Sequence, residues 1–95
     1  MIFVINKLKY DTDKMQLISE KCEYLYKYNM FGSNFTNYGK DVKLWRSVND
    51  RWLITHTRGS SNVYAEAISK KKAGALLLQY DVDKYEELFE KLEEA

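Results

Sequence analysis

Apolar and polar residues alternate in part from Ile2 to Tyr10, a stretch rich in Ile, Val, Phe and Tyr with a polar break at Asn6-Lys7. Period-two alternation of β-branched and aromatic residues predicts a strand, or a short hairpin bent at the break. Asp11-Thr12-Asp13 follows, and a side-chain oxygen of Asp11 or Thr12 suits a helix N-cap. Met15, Ile18, Cys22 and Leu25 then recur at the spacing of one helix face. A helix is therefore expected after Asp11, with Cys22 as a buried structural thiol on its stripe. Residues 29–41, rich in Asn, Gly, Ser and Tyr, read as an irregular loop. Phe31 and Phe35 either pin that loop to the core or form part of a binding surface.

The clearest local signal lies between Val42 and Thr57. Two strand-like runs, Lys43–Val48 and Arg51–His56, flank Asn49-Asp50, a pair that tolerates positive φ as a type I′ hairpin turn requires. A two-residue turn sets Trp45 opposite Ile54 and puts Trp45, Trp52, Ile54 and His56 on one face. Leu44, Val48, Leu53, Arg46 and Arg51 then occupy the other. Arg58 to Asn62 reads as a loop and Val63–Ile68 as another strand. Ser69 caps a helix to about Tyr80 with Ala73, Leu76, Leu77 and Tyr80 inward. Asp81 or Asp83 starts a last helix, and Asp83 with Glu86 has capping-box spacing. On that helix Val82, Tyr85, Leu88, Phe89 and Leu92 share one side, and Glu86, Glu87, Glu90, Glu93 and Glu94 share the other. The sum is a single α+β domain over residues 1–95, with a small antiparallel sheet of about three to four strands, one N-terminal helix and two C-terminal helices.

Length and composition fit that reading. Ninety-five residues with 45% hydrophobic and 31% charged side chains suit one modest core. There is no proline, so turns rest on Gly, Asn, Asp and Ser. The lone Cys22 excludes an internal disulfide and a Cys-rich metal site. Together with an opening apolar run too short for a signal peptide, it leads to the expectation of a cytoplasmic protein. The net charge of +1 hides a split. Residues 81–95 carry seven acids and two bases, a net of −5, against thirteen bases and seven acids in residues 1–80, a net of +6. Opposite fields on one small body favour oriented binding, although an acidic helix face is also an ordinary solvated surface.

The residues that could carry chemistry are few. His56 is the single histidine, and one imidazole does not make a metal site. Ser47, Ser60, Ser61 and Cys22 are formal nucleophile partners for it, yet none stands in a recognisable nucleophile context. Gly32, Gly39, Gly59 and Gly74 are scattered, with no phosphate-binding spacing. No catalytic residue, metal or cofactor is therefore expected. The densest basic run, Lys70-Lys71-Lys72, falls on a first helical turn, where the macrodipole disfavours cations. Arg46, Arg51 and Arg58 extend it into a candidate phosphate-contacting patch; a plain solvated helix start is the other reading. The acidic face (Glu86, Glu87, Glu90, Glu93, Glu94) has a mirror use, since spaced carboxylates can occupy a basic groove built for nucleic acid.

Three segments together carry a resemblance. They are Ile5-Asn6-Lys7-Leu8-Lys9-Tyr10-Asp11-Thr12, then Leu44-Trp45-Arg46-Ser47 with Trp52-Leu53, then Tyr85-Glu86-Glu87-Leu88-Phe89. In this order and spacing the chain resembles, over nearly its full length, small proteins of phages and conjugative elements of Gram-positive bacteria. Some of these resemble anti-CRISPR proteins. The resemblance implies an inhibitor that binds a CRISPR effector nuclease, or its guide-RNA complex, and blocks guide or target engagement. It carries no catalytic residue over. Gly59 alone stands where the pattern has a glycine-rich stretch, and Lys70–Lys72 stand where it has acids. The alternative is a nucleic-acid-binding accessory or regulatory protein of a mobile element.

Overall fold

The computed structural model describes residues 1–59 and 61–95. The first hairpin forms where expected. Strands β1 (Ile2–Ile5) and β2 (Leu8–Asp11) pair antiparallel, and Asn6 and Lys7 both take left-handed φ values of 51° and 64°. That is the type I′ geometry whose twist matches flanking strands.

The expected N-terminal helix is absent. Asp11 does cap, its carboxylate accepting from the Asp13 N–H, but it caps only one 3-10 turn, Thr12–Lys14. The chain then extends into β3 (Gln16–Ser19), β4 (Leu25–Met30), β5 (Ser33–Tyr38) and β6 (Lys40–Arg46). Ile18 and Cys22 are buried as the helical stripe required, whereas Leu25 is exposed. Strand pairing supplies the reason. Gln16 and Leu17 pair with Arg46 and Trp45, and after a bulge Ser19 pairs with Leu44. A partner strand thus satisfies this backbone, and tertiary pairing outweighs a three- to four-residue apolar spacing.

The presumed loop over residues 29–41 is likewise mostly strand. β4 and β5 pair from Leu25↔Tyr38 to Met30↔Ser33, closed by Phe31 and Gly32 at φ 53° and 77°. Six residues separate Ser19 from Leu25 and six separate Tyr38 from Leu44, so both pairings lie in one register. The two segments are the near and far halves of a single ribbon.

Strands β7 (Trp52–Thr57) and β8 (Val63–Ile68) complete a four-stranded antiparallel sheet in the order β3-β6-β7-β8. The β6–β7 turn has three residues rather than two. The Ser47 N–H donates to the Arg51 carbonyl and the Asp50 N–H to the Ser47 carbonyl, and only Asp50 has positive φ. A type I turn closed by a left-handed residue is the usual three-residue solution. The register moves by one, to Leu44↔Ile54, Trp45↔Leu53 and Arg46↔Trp52. A one-residue slip exchanges faces. Trp45 therefore leaves the side of Trp52, Ile54 and His56, and Leu44 and Arg46 join it.

Helices α1 (Lys70–Tyr80) and α2 (Val82–Leu88) follow. Ser69 caps α1 through its hydroxyl, which accepts from the Lys72 N–H at 3.1 Å. Ala73 and Leu77 pack into a core with Ile18, Cys22, Val42, Leu44, Trp52 and Ile54, with Leu76 and Tyr80 at its margin. Asp81 joins the helices and holds the N-cap position of α2, but its side chain makes no cap bond there. Its buried carboxylate accepts from the Ser19 hydroxyl at 2.6 Å and so ties the junction to β3. α2 stops at Leu88, where the ring of Phe89 turns in to stack on Trp52 at 5.8 Å. Carboxylates at a helix C-terminus repel its carbonyl end and one another, which disfavours extension through Glu90, Glu93 and Glu94. Among the described residues the architecture is thus eight strands in three sheets with two helices, both C-terminal. This corrects the expectation of three to four strands and an N-terminal helix.

Candidate functional site

The far half of the long ribbon, β4 and β5, has no further strand beside it among the described residues. Strand β7 ends at Thr57, which pairs with Lys40. Just inside that pair, β6 carries a one-residue bulge with Asp41 at φ 54°. Bulges bend a strand and sharpen its twist. From there the hairpin stands clear of the sheet as an arm about 20 Å long, six residues at roughly 3.3 Å each. Phe31 at its tip is 97% exposed and Phe35 is 45% exposed, so neither pins the segment to the core.

Strand alternation sorts the arm's side chains. Leu25, Lys27 and Asn29 share one face with Tyr38, Thr36 and Asn34. Tyr26, Tyr28 and Met30 share the other with Asn37, Phe35 and Ser33. On this second face Tyr28 stacks on Phe35 at 5.6 Å, and Tyr26 lies 6.0 Å from Tyr28. The aromatic line continues onto the sheet. Tyr26 stacks on His56 at 5.7 Å, and His56 meets Tyr24 at 4.4 Å and Tyr64 at 5.8 Å.

Arg58 locks this junction. Its guanidinium lies 4.5 Å from the Tyr26 ring centre and 4.1 Å from that of Tyr64, and its Nε–H donates to His56 Nε2 at 3.0 Å. A cation between two ring faces is held by their quadrupoles. His56 is buried, and burial first, then the Arg58 charge, pushes its pKa below the usual imidazole value. Neutral His56 accepts at Nε2, which places its hydrogen on Nδ1, an atom without a partner among the described residues. Beside it the Tyr24 hydroxyl donates to Glu66, and burial together with that carboxylate raises the phenol to about 12. Gly39 leaves room for this packing: a Cβ there would meet His56 side-chain atoms at 2.8–3.0 Å.

The residues singled out from sequence are scattered. Arg46 donates to Gln16 Oε1 and lies 5.7 Å from the Trp52 ring centre. Lys70 pairs with Asp50 at 2.9 Å, lowering the Asp50 pKa. Lys72 is 4.0 Å from Glu66, and Lys71 is exposed on the same turn. Arg46 and Lys70 border an open depression of about 570 Å³ with Lys14, but Asp13 and Asp50 border it too, so it has no single sign. Arg51 is exposed at the same end of β7. Arg58 sits at the other end, five strand steps or about 17 Å away, so no continuous patch joins the three arginines.

The acidic row is also broken. Only Glu86 and Glu87 lie on α2. Glu86 accepts from the Leu92 N–H at 2.9 Å, Glu87 pairs with Lys84 at 3.2 Å, and Tyr85 donates to Glu90 at 3.4 Å. Glu93 and Glu94 belong to an exposed non-helical tail. Cys22 is buried and its thiol pKa raised chiefly by that burial, which leaves it a poor nucleophile. Ser60, one of the serines weighed beside His56, lies outside the described residues.

Among the described residues no group of three His, Cys, Asp or Glu side chains is placed to hold a metal ion, and no helix is long and apolar enough to cross a membrane. The aromatic arm is what sequence reasoning missed. Its signal was present as Tyr24, Tyr26, Tyr28 and Met30 at period two, but the helical spacing through Leu25 competed for the same residues. No protein family, curated protein or solved structure matches this chain.

Proposed function

We propose that this protein works by stoichiometric binding, with the β4–β5 arm as its principal contact, and that its partner is a bacterial CRISPR effector nuclease. One observation carries the binding reading. The arm exposes Leu25, Met30, Phe31, Phe35 and Tyr38 on a hairpin that the core does not need. Exposed apolar groups gathered on one element mark an interaction surface. The choice of partner rests on the resemblance to mobile-element inhibitors. A slender arm suits entry into a nuclease channel better than the acidic tail does, because the tail carboxylates no longer form a row. Lys70–Lys72 and the carboxylates Glu86 to Glu94 stay as secondary contacts in this proposal.

The test is a cleavage assay with effector nucleases of Gram-positive hosts, titrated with the protein. Inhibition that saturates near one equivalent is expected. A Phe31→Ser, Phe35→Ser double variant should shift the titration by at least tenfold, while charge reversal at Lys70–Lys72 or at Glu86, Glu87 and Glu90 shifts it less. Full cleavage at every ratio across the nucleases tried would remove this reading.

A further inference from the structure

The inner aromatic face of the arm has a chemistry of its own. Tyr26, Tyr28 and Phe35 form a line of rings 5.6–6.0 Å apart, Tyr64 continues it on β8, and Arg58 is clamped where arm and sheet meet. A cross-strand ring pair such as Tyr28–Phe35 stabilises a two-stranded hairpin. That need is met by one pair, and it leaves Phe35 and Tyr64 with 45% and 39% of their surface open. The charge is one-sided. Residues 24–40 include Lys27 and Lys40 and no acid, and Arg58 adds a third cation at the base. Glu66, the carboxylate nearest this chemistry, is taken up by the Tyr24 hydroxyl and Lys72. Glu23 and Asp41 flank the arm's base in sequence.

Exposed rings in series and nearby cations are the two components of a surface for unpaired bases. Rings stack on bases of any identity, and cations follow the phosphates. We infer that this face of the arm is a stacking platform for single-stranded nucleic acid. Phe35 and Tyr28 stack on bases, Tyr64 extends the platform along β8, Arg58 meets phosphates at the arm's base, and Lys27 and Lys40, on the other face of the slender ribbon, add attraction at longer range. A duplex keeps its bases stacked on each other and offers the rings nothing comparable, so the platform discriminates by strandedness rather than by sequence. This inference stands apart from the nuclease reading: such a strand can be free or held by an effector.

The experiment is fluorescence anisotropy on the intact chain with labelled oligothymidine and oligouridine of about 12 nucleotides, against a duplex of equal length. Single strands should bind and the duplex should bind at least tenfold more weakly. With Arg58 as the direct phosphate contact, log affinity should fall with log salt at a slope of about −0.7. Phe35→Ala and Tyr28→Ala should each weaken binding by about 5- to 150-fold, the range a lost base stack corresponds to. Phe35→Trp should retain it, and circular dichroism confirms that each variant is folded. Equal binding of duplex, no binding of either strand at low salt, or loss on replacing Lys70–Lys72 but not Phe35 would each overturn the inference. If the wild type binds no oligonucleotide yet the arm variants relieve nuclease inhibition, the arm contacts protein and only this inference fails. Oligonucleotide binding without inhibition of any nuclease removes the nuclease reading instead.

Discussion

His56 shows how one residue's surroundings set its behaviour. Burial and the Arg58 guanidinium hold its pKa below the usual 6.5, so the unfolded chain takes up a proton where the folded chain resists it. The unfolded state binds more protons in that window, and stability therefore rises with pH through it. Stability is full above about pH 6.5 and should be lost progressively as pH falls toward the folded value. A His56→Gln variant should flatten the slope between about pH 6.5 and 5.5 in urea titrations; an unchanged slope would exclude His56 as its source. Gly39→Ala should cost about 1–3 kcal/mol, since its Cβ would stand 2.8 Å from His56 Cδ2 and the neighbouring ring packing must shift. Ser19→Ala removes the hydroxyl that donates to the buried Asp81 carboxylate, and a loss of about 1.5–3 kcal/mol is expected in the same assay.

Among elements, the arm's turn sets local stability against function. Phe31 holds a left-handed φ of 53° with almost all its surface in water. An aromatic residue is disfavoured there, while Asn-Gly is the preferred pair for such a turn. Phe31→Asn should therefore raise stability by about 0.5–1 kcal/mol and weaken partner binding; a fall in the thermal midpoint would show that Phe31 supports the fold. Helices α1 and α2 repeat the tension in charges. Lys70 and Lys72 stand at an unfavourable helix start and find Asp50 and Glu66, whereas the carboxylates after Leu88 find no helix to extend. The turn at Asn6-Lys7, the Ser69 cap and the strand Val63–Ile68 were legible because each depends on neighbours in sequence. The segment from Met15 to Tyr38 was not, because its apolar spacing satisfies a helix while its backbone partners lie in β6 and across the arm.

For the whole molecule, the arm explains the shape. The radius of gyration is 14.5 Å, against about 12 Å for a compact chain of this length, and the longest extent is 48 Å. Opening free energies should follow the same division. Amides of β4 and β5 should exchange with solvent well before those of β6 and β7, whose Leu44, Leu53 and Ile54 are fully buried. Equal protection would mean that something covers the arm in solution. The charge split of the chain survives as composition but not as two faces, because Arg46 and Arg58 lie at opposite ends of β7 and the carboxylates divide between α2 and the tail.

What the amino-acid sequence determined by itself was local. It specified the first hairpin, the β6 and β7 strands, the capped helix α1 and the buried state of Cys22, for each follows from adjacent residues or from composition. Only the tertiary structure decided the pairing of β3 with β6, the three-residue turn that moved Trp45 to the other face, the end of α2 and the projection of the arm. Those outcomes turn on hydrogen bonds between residues far apart in the chain and on a register in which one residue exchanges every side chain between faces.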